Sequence, residues 1–388
     1  MDTLVSGFFD SASVTTSMPF LFYSKSSSVR CRGAKSVLEC PLTDPTFSRK
    51  LDDLFNREKA QGVDNPIVVG AIPFDLAQPC HLMVPQWFTF QSAPPFDMSQ
   101  FNDTGFKHRV RAHQFVPNHD VFIQCVEQAL TRFDDTDLKK VVLSRLLELE
   151  LDKDVDLTRL MGNVMAQNPN AYHFNIPVKG GVMIGASPEL LIRKKDERVY
   201  SNPLAGSAKR QDDQALDGAA ADALWQSKKD QYEHRLVVDS IRSAISGYVS
   251  DLRIPEEPSL VNTPTMWHLS TQIEGCVKES ATNTFDLIKA IHPTPAMGGT
   301  PTQHAKQAID EIEPHDRHFF SGLVGWADSK GNGEWAIAIR CAEVNGAFVR
   351  LFAGAGVVPD SNPENEWIET GNKMRTMLNA FGIKRDAL

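Results

Sequence analysis

The strongest single constraint on this chain is the dipeptide Asn345-Gly346, which separates two alternating apolar runs at 334–344 and 347–357. Asn and Gly tolerate the positive φ angles of a type I′ turn, and the twist of that turn matches the strands it joins. The segment is predicted to be an antiparallel hairpin, so the fold must contain a sheet that can bury both arms. The remaining pattern agrees. Strand-like runs follow one another at 139–151, 172–177, 181–186, 190–193 and 199–204, and Leu147-Glu148-Leu149-Glu150-Leu151 alternates with a period of two. Helical patterns occupy 51–61, 120–133, 157–167, 214–226, 230–252, 285–291, 303–312 and the stretch after Pro363, and a buried strand at 67–72 stops at Pro73. Residues 1–50 are Ser/Thr-rich and weakly patterned, with a loop at 24–28, and 79–104 reads as an irregular insertion. Strands and helices that fall in runs, not in strict alternation, indicate the α+β class, with antiparallel sheet and helices packed against it. A dinucleotide or phosphate-loop fold is excluded, because neither G-x-G-x-x-G nor G-x-x-x-x-G-K-[ST] occurs. Ala353-Gly354-Ala355-Gly356 lacks that spacing, and His315-Asp316-Arg317-His318 reads as a surface turn.

Four carboxylates point to chemistry. Pro363 suits the first turn of a helix, which sets Glu366, Glu369 and Lys373 at i, i+3 and i+7 along one face. Trp367, Met374, Leu378 and Phe381 fall on a separate stripe, so the helix can bury its apolar side without consuming the acids. Such a face can simply be solvated. Asp230 and Glu233 change the balance, because on a helical wheel they continue the apolar stripe of Val237, Ile241 and Ala244. Acids that point into a core need cations, since an unpaired buried carboxylate is costly. Oxygen donors without cysteine or clustered histidine suit a hard divalent ion, and Mg²⁺ fits best.

The formal charge of −9 over 388 residues argues against non-specific nucleic-acid binding. It also requires that any anionic ligand meet locally placed Lys, Arg or metal. The six cysteines are scattered without a C-x-x-C, as free thiols in a reducing compartment would be. No basic leader and no apolar run near the ~20 residues of a membrane span are present, so a soluble cytoplasmic protein without membrane partners is expected. Four further places can carry chemistry. Lys140 heads an apolar run; near other cations it would be tuned towards a base, and otherwise it is a solvated strand end. Glu189, at a Pro-Glu corner, is an acid if its pocket is closed. Gly206 and Ser207, followed by Lys209 and Arg210, suit an anion. Arg340, in the apolar run 335–341, is either a salt-bridge partner or a bidentate clamp for a carboxylate.

In chain order, VVLSR (141–145), GASPELL (185–191), PLAGSAKR (203–210), KDQYEH (229–234), HPTPAMGGTPT (292–302), GLVGWAD (322–328), EWAIAIRCAEV (334–344), LFAGAGVVP (351–359) and EWIETGNKM (366–374) resemble the motifs of the chorismate-utilising enzymes. The likeness is greatest to isochorismate synthases of the enterobactin (2,3-dihydroxybenzoate) siderophore type. It is dense over 139–382 and thin over 1–115, a divergent part of the same domain. It implies one domain over 1–388, built of two large antiparallel sheets packed together with helices outside, and Mg²⁺ at its centre. It also implies Glu233 and Glu369 as direct metal ligands, with Asp230 and Glu366 acting through water. Lys140 would be the base that activates water and Glu189 the acid. Arg340, Lys373, Gly206, Ser207 and the backbone of Gly354, Ala355 and Gly356 would cradle the carboxylates of chorismate, with His292 and Ala296 beside the ring.

Small side chains bear on the branch of the family. Aminodeoxychorismate synthases often carry a nucleophilic lysine where Ala205 stands, and salicylate synthases tend to have Thr where Ala296 stands. The PTPA sequence replaces the P-x-G-T pattern of anthranilate synthases, so no glutamine amidotransferase subunit is expected, and a monomer is. Menaquinone-type synthases perform the same conversion of chorismate to isochorismate. Two readings from other classes remain: Mg²⁺-dependent phosphoryl transfer, which would want the missing phosphate loop, and a binding protein with a salt-bridged acidic core, which would be indifferent to chelators.

Overall fold

The computed structural model describes residues 19–91, 107–384 and 388. Every strand pairing among them is antiparallel, and seventeen strands form one hydrogen-bonded network. A separate small sheet is built from Leu204–Lys209, Met266–Ser270 and Ser259–Asn262. The two large sheets anticipated are therefore a single large network and a three-stranded one. Shared strands join the network: Phe348–Val357 pairs with Cys341–Asn345 on one side and Lys140–Leu151 on the other.

The Asn345-Gly346 hairpin forms, with Asn345 opposite Phe348. Its first arm is shorter than predicted. Gly333–Ile337 and Cys341–Asn345 are separate strands, and between them Arg340 takes φ 52°. Arg340 is thus a bend residue rather than a strand residue. Its carbonyl accepts from the Ala186 amide, which holds the bend against the neighbouring strand Gly181–Ser187. The run 199–204 likewise divides at Pro203, which has no N–H for a ladder: Arg198–Asn202 joins the large sheet and Leu204–Lys209 the small one. The helix expected to reach 252 stops at Ile245, and beyond Gly247 the chain becomes the strand Val249–Arg253, paired with Ile273–Val277.

Order is greater near the N-terminus than its pattern suggests. Pro19–Tyr23 and Ser28–Leu38 are strands, and the expected irregular insertion at 79–104 contains the strand His81–Gln91; its later part, 92–104, lies outside the described residues. Pro85 sits in that strand beside a register shift opposite Ala34, where a missing N–H is tolerated.

The long strand Lys140–Leu151 feeds two apolar cores. Val141, Leu143 and Leu146 belong to one; Leu147, Leu149 and Leu151 belong to the other, with Met374 and Leu378 of the helix Pro363–Ala380 and its C-cap Phe381. Glu148, which alternation would place in solvent, is fully buried and paired with Arg350 at 3.1 Å. The segment read as a surface turn is exposed at Asp316 and His318, but it buries Arg317. Arg317 is 3% exposed and donates to the carbonyls of Met297 at 2.9 Å and Val142 at 2.6 Å, and its Nε donates to Glu313 at 2.8 Å. That buried pair ties the head of the long strand to the 292–302 segment.

Candidate active site

Residues far apart in sequence meet in one cavity at the ends of these strands. Glu189 lies at the corner between Gly181–Ser187 and Leu190–Lys195. Asp230 and Glu233 stand in the first turns of Lys228–Ile245, whose N-cap Ser227 accepts from the Asp230 amide at 3.2 Å. Glu369 and Lys373 come from Pro363–Ala380, capped by Asn362, which accepts from the Asn365 amide at 3.1 Å. Acids in or near the first turn are favoured by the positive end of the helix dipole. Gly206, Ser207, Ala296, Arg340, Gly354 and Gly356 complete the predicted set on the wall.

Two glycines permit the close approach. Gly206 has φ 76° at a bulge opposite His268, and a Cβ there would stand 3.0 Å from Asp230 Cβ. At Gly356 a Cβ would meet Glu233 Oε1 at 3.0 Å and Lys140 Cε at 3.1 Å.

Four predicted residues lie elsewhere. Lys140 is 1% exposed and sits behind the wall, where its Nζ donates to Glu233 Oε1 at 2.7 Å. The charge beside it is an anion, not the cations anticipated. His292 is buried away from the cavity, and its Nε2 bonds the Phe74 carbonyl oxygen at 3.0 Å. Ala355 points into the core, and Glu366 is buried just off the wall. Conversely, Lys229, His268, Phe320 and Ser321 line the cavity although the sequence reading passed over them. The helical pattern around Asp230 could have flagged Lys229; His268, Phe320 and Ser321 carry no local signal.

Charge is finely divided here. Burial pushes the Glu189 carboxyl up to about 7, against the opposing pull of the Leu204 backbone, Lys140, Arg340 and Lys373. For Glu233 burial also acts upward, but Lys140 together with Lys373 and Lys229 outweighs it, and the group ends below its ordinary value. Burial brings Arg340 down to about 10 against the opposing pull of Glu369 and Glu189, and its Nε has no partner among the described residues. His268 is held neutral by burial and by the Arg340 and Lys373 charges. Lys373 Nζ donates to the Gly354 carbonyl at 2.8 Å and pairs with Glu369 at 2.6 Å. A buried guanidinium with a free donor beside Lys373 suits a carboxylate ligand.

The acids also test the expected cation. Asp230 is raised by burial and by the Glu233 and Glu369 carboxylates; Glu366 is pushed up to about 7 by burial and by Glu369. Buried carboxylates that repel one another leave negative charge for a cation to neutralise. Among the described residues no three Asp, Glu, His or Cys side chains are grouped to enclose a metal ion alone. Mg²⁺ needs no such cage, since it retains waters and takes one or two carboxylates plus an anionic ligand. Glu233 and Glu369 fit that pattern, and each is turned to a lysine here.

The family description "Chorismate binding enzyme" matches residues 91–382. The chain belongs to the chorismate binding enzyme family. Within it, the chain is 47% identical over 348 residues to the isochorismate synthase EntC of Escherichia coli K12, covering 88% of this chain and 87% of that one. It is 40% identical over 346 residues to the isochorismate synthase DhbC of Bacillus subtilis, covering 87% and 86%. The crystal structure of a putative 2,3-dihydroxybenzoate-specific isochorismate synthase, DhbC from Bacillus anthracis, superposes with a TM-score of 0.88 at 37% identity, over 98% of this chain and 100% of that one. This family member has no helix among the described residues long and apolar enough to cross a membrane.

Proposed function

We propose that this chain converts chorismate to isochorismate with Mg²⁺, in the branch that supplies 2,3-dihydroxybenzoate for catechol siderophores. The observation that carries the reading is the composition of one wall. Glu189, Arg340, Lys373, Glu233 and Glu369 share it with Ala205, which offers no amine to attack the ring. Arg340 and Lys373, with Gly206 and Ser207, bind the substrate carboxylates. Glu233 and Glu369, with Asp230 and Glu366 through water, would hold Mg²⁺, which would supply Lewis-acid stabilisation of charge on the ring carboxylate.

Lys140 takes a proton from water as the water oxygen adds at C2. The ring double bonds shift, the C4–O bond breaks, and Glu189 protonates the departing hydroxyl. One water enters and one leaves, so the enolpyruvyl ether is retained. Lys140 reaches water only after Glu233 gives up the hydrogen bond that now covers the amine. Incubation with chorismate and Mg²⁺ in ¹⁸O-labelled water should give isochorismate labelled at the C2 hydroxyl. Stoichiometric salicylate and pyruvate would instead place the chain in the salicylate-forming branch.

A further inference from the structure

Five non-glycine residues among those described take a positive φ. Asp196, Asp251 and His318 are exposed. The other two, Ser321 at 59° and Arg340 at 52°, are buried, and both line the active-site cavity. A left-handed backbone is unfavourable for any residue that carries a Cβ, and buried examples gather where function uses them.

Ser321 has no local reason to adopt that backbone. Short polar side chains tolerate it by bonding to nearby backbone groups, but the Ser321 hydroxyl makes no hydrogen bond among the described residues. Nor is it sealed in the core, as the unpartnered hydroxyls of Thr294 and Thr300 are. The residue is 2% exposed, and what it exposes faces the cavity. Its neighbour Gly322 is glycine for a steric reason, because a Cβ there would stand 2.2 Å from the Ile72 carbonyl oxygen. At 321 the conformation favours glycine just as strongly, yet a hydroxyl-bearing residue stands there.

The backbone fixes where that hydroxyl is. The Ser321 amide donates to the Ala338 carbonyl at 3.0 Å, and the Ala338 amide donates to the Gly322 carbonyl at 2.8 Å. These bonds continue the pairing of Leu323 with Ile337, so Ser321 and Arg340 occupy adjoining ends of two paired strands. The Phe320 amide donates to the Arg317 carbonyl at 2.8 Å, and Arg317 is itself anchored to the carbonyls of Met297 and Val142. Hydroxyl and guanidinium are thus delivered to the cavity by one braced piece of backbone. Phe320 and Ile339, beside them on the wall, offer no side-chain acceptor.

We infer that Ser321 is a substrate-binding residue whose hydroxyl donates to the carboxylate held by Arg340. The inference rests on the dicarboxylate substrate proposed above. A guanidinium can only donate, so an acceptor shared by the two groups belongs to the ligand, and an anion accepts from both. The carboxylate is present before and after the ring rearranges, so the contact acts on binding and leaves the chemical step alone.

Initial rates of chorismate consumption with Mg²⁺, compared among wild type, S321A and S321G, test the contact. S321A removes the hydroxyl and keeps the strained φ, whereas S321G removes both. A hydrogen bond to a charged group is among the stronger ones, so each variant should raise KM roughly tenfold while kcat stays within about threefold. S321G should unfold at a higher urea concentration than S321A, because glycine alone relaxes at this φ. An unchanged KM in both variants, or a loss confined to kcat, would overturn the inference. So would a raised KM in S321A that S321G restores, since that traces the effect to strain and not to the missing hydroxyl. If S321A does not fold, S321G carries the same KM test. Consumption of chorismate is read whichever product forms; a wild type that consumes none refutes the proposed substrate, whereas normal consumption with unchanged variants refutes this contact alone.

Discussion

Glu189→Gln probes the proton donor, and the size of its effect follows from the site. The carboxyl is 2% exposed, and burial lifts it from 4.5 to about 7. A difference of that size amounts to about 3 kcal/mol against ionisation. At about pH 6 the protonated form then outnumbers the carboxylate roughly ten to one. A group that delivers a proton works only while protonated, so kcat/KM should fall about tenfold per pH unit above about pH 7. Glutamine keeps the shape but has no acidic proton, and the expected loss is about 10²–10⁴-fold, together with the descending limb. Glu366 is also pushed up to about 7, but in its proposed role it serves the metal as a carboxylate, so its ionisation would give a rising limb and not this falling one. Glu366→Gln is the control and should retain the falling limb. The measurement is isochorismate formation by chromatography at fixed ionic strength and Mg²⁺ from about pH 5 to 9. A limb near pH 7 that survives in Glu189→Gln, or a loss under about tenfold, would refute the assignment.

Glu233→Gln and Glu369→Gln should each abolish Mg²⁺-stimulated turnover with the circular dichroism spectrum unchanged, and Asp230→Asn should cost less; full activity in excess chelator would sink the metal reading. Gly356→Ala should reduce turnover sharply, because its Cβ would crowd Glu233 and Lys140 at 3.0 and 3.1 Å. Gly218→Ala, in the helix Gln214–Gln226 with nothing within 4 Å of the new Cβ, should leave turnover intact and raise stability by up to about 1 kcal/mol. Arg317→Met should lower stability by about 3–5 kcal/mol, because it strands the buried Glu313 carboxylate. Adding Glu313→Gln should recover part of that loss in urea denaturation, and simple additivity of the two changes would show that they are not a coupled pair.

Several features were open to reading along the chain because they are local. A turn at Asn345-Gly346 depends on the φ preferences of two residues, and the separation of Glu369 and Lys373 from Met374 and Leu378 depends only on helical periodicity. Buried apolar strands such as Ile67–Ile72 show themselves in the same way. The order of short motifs also carried the family, since each motif is a contiguous run. The mixed strands near the N-terminus were missed because half-exposed residues and a proline dilute their period, and their partners supply what the local pattern lacks.

What tertiary structure alone decided is who neutralises whom. Arg340 looks like a strand residue until the pairing of Cys341–Asn345 with Gly181–Ser187 forces the bend before it. Arg317 looks like a turn residue until the carbonyls of Met297, in a turn, and Val142, near the head of the long strand, converge on it. Lys140 reads as either a solvated strand end or a base among cations, but the fold sets it against Glu233, 93 positions later in the chain. Spacing places an acid on a helix face; the charge it meets there is fixed by loop closure over long separations, and no local pattern records that.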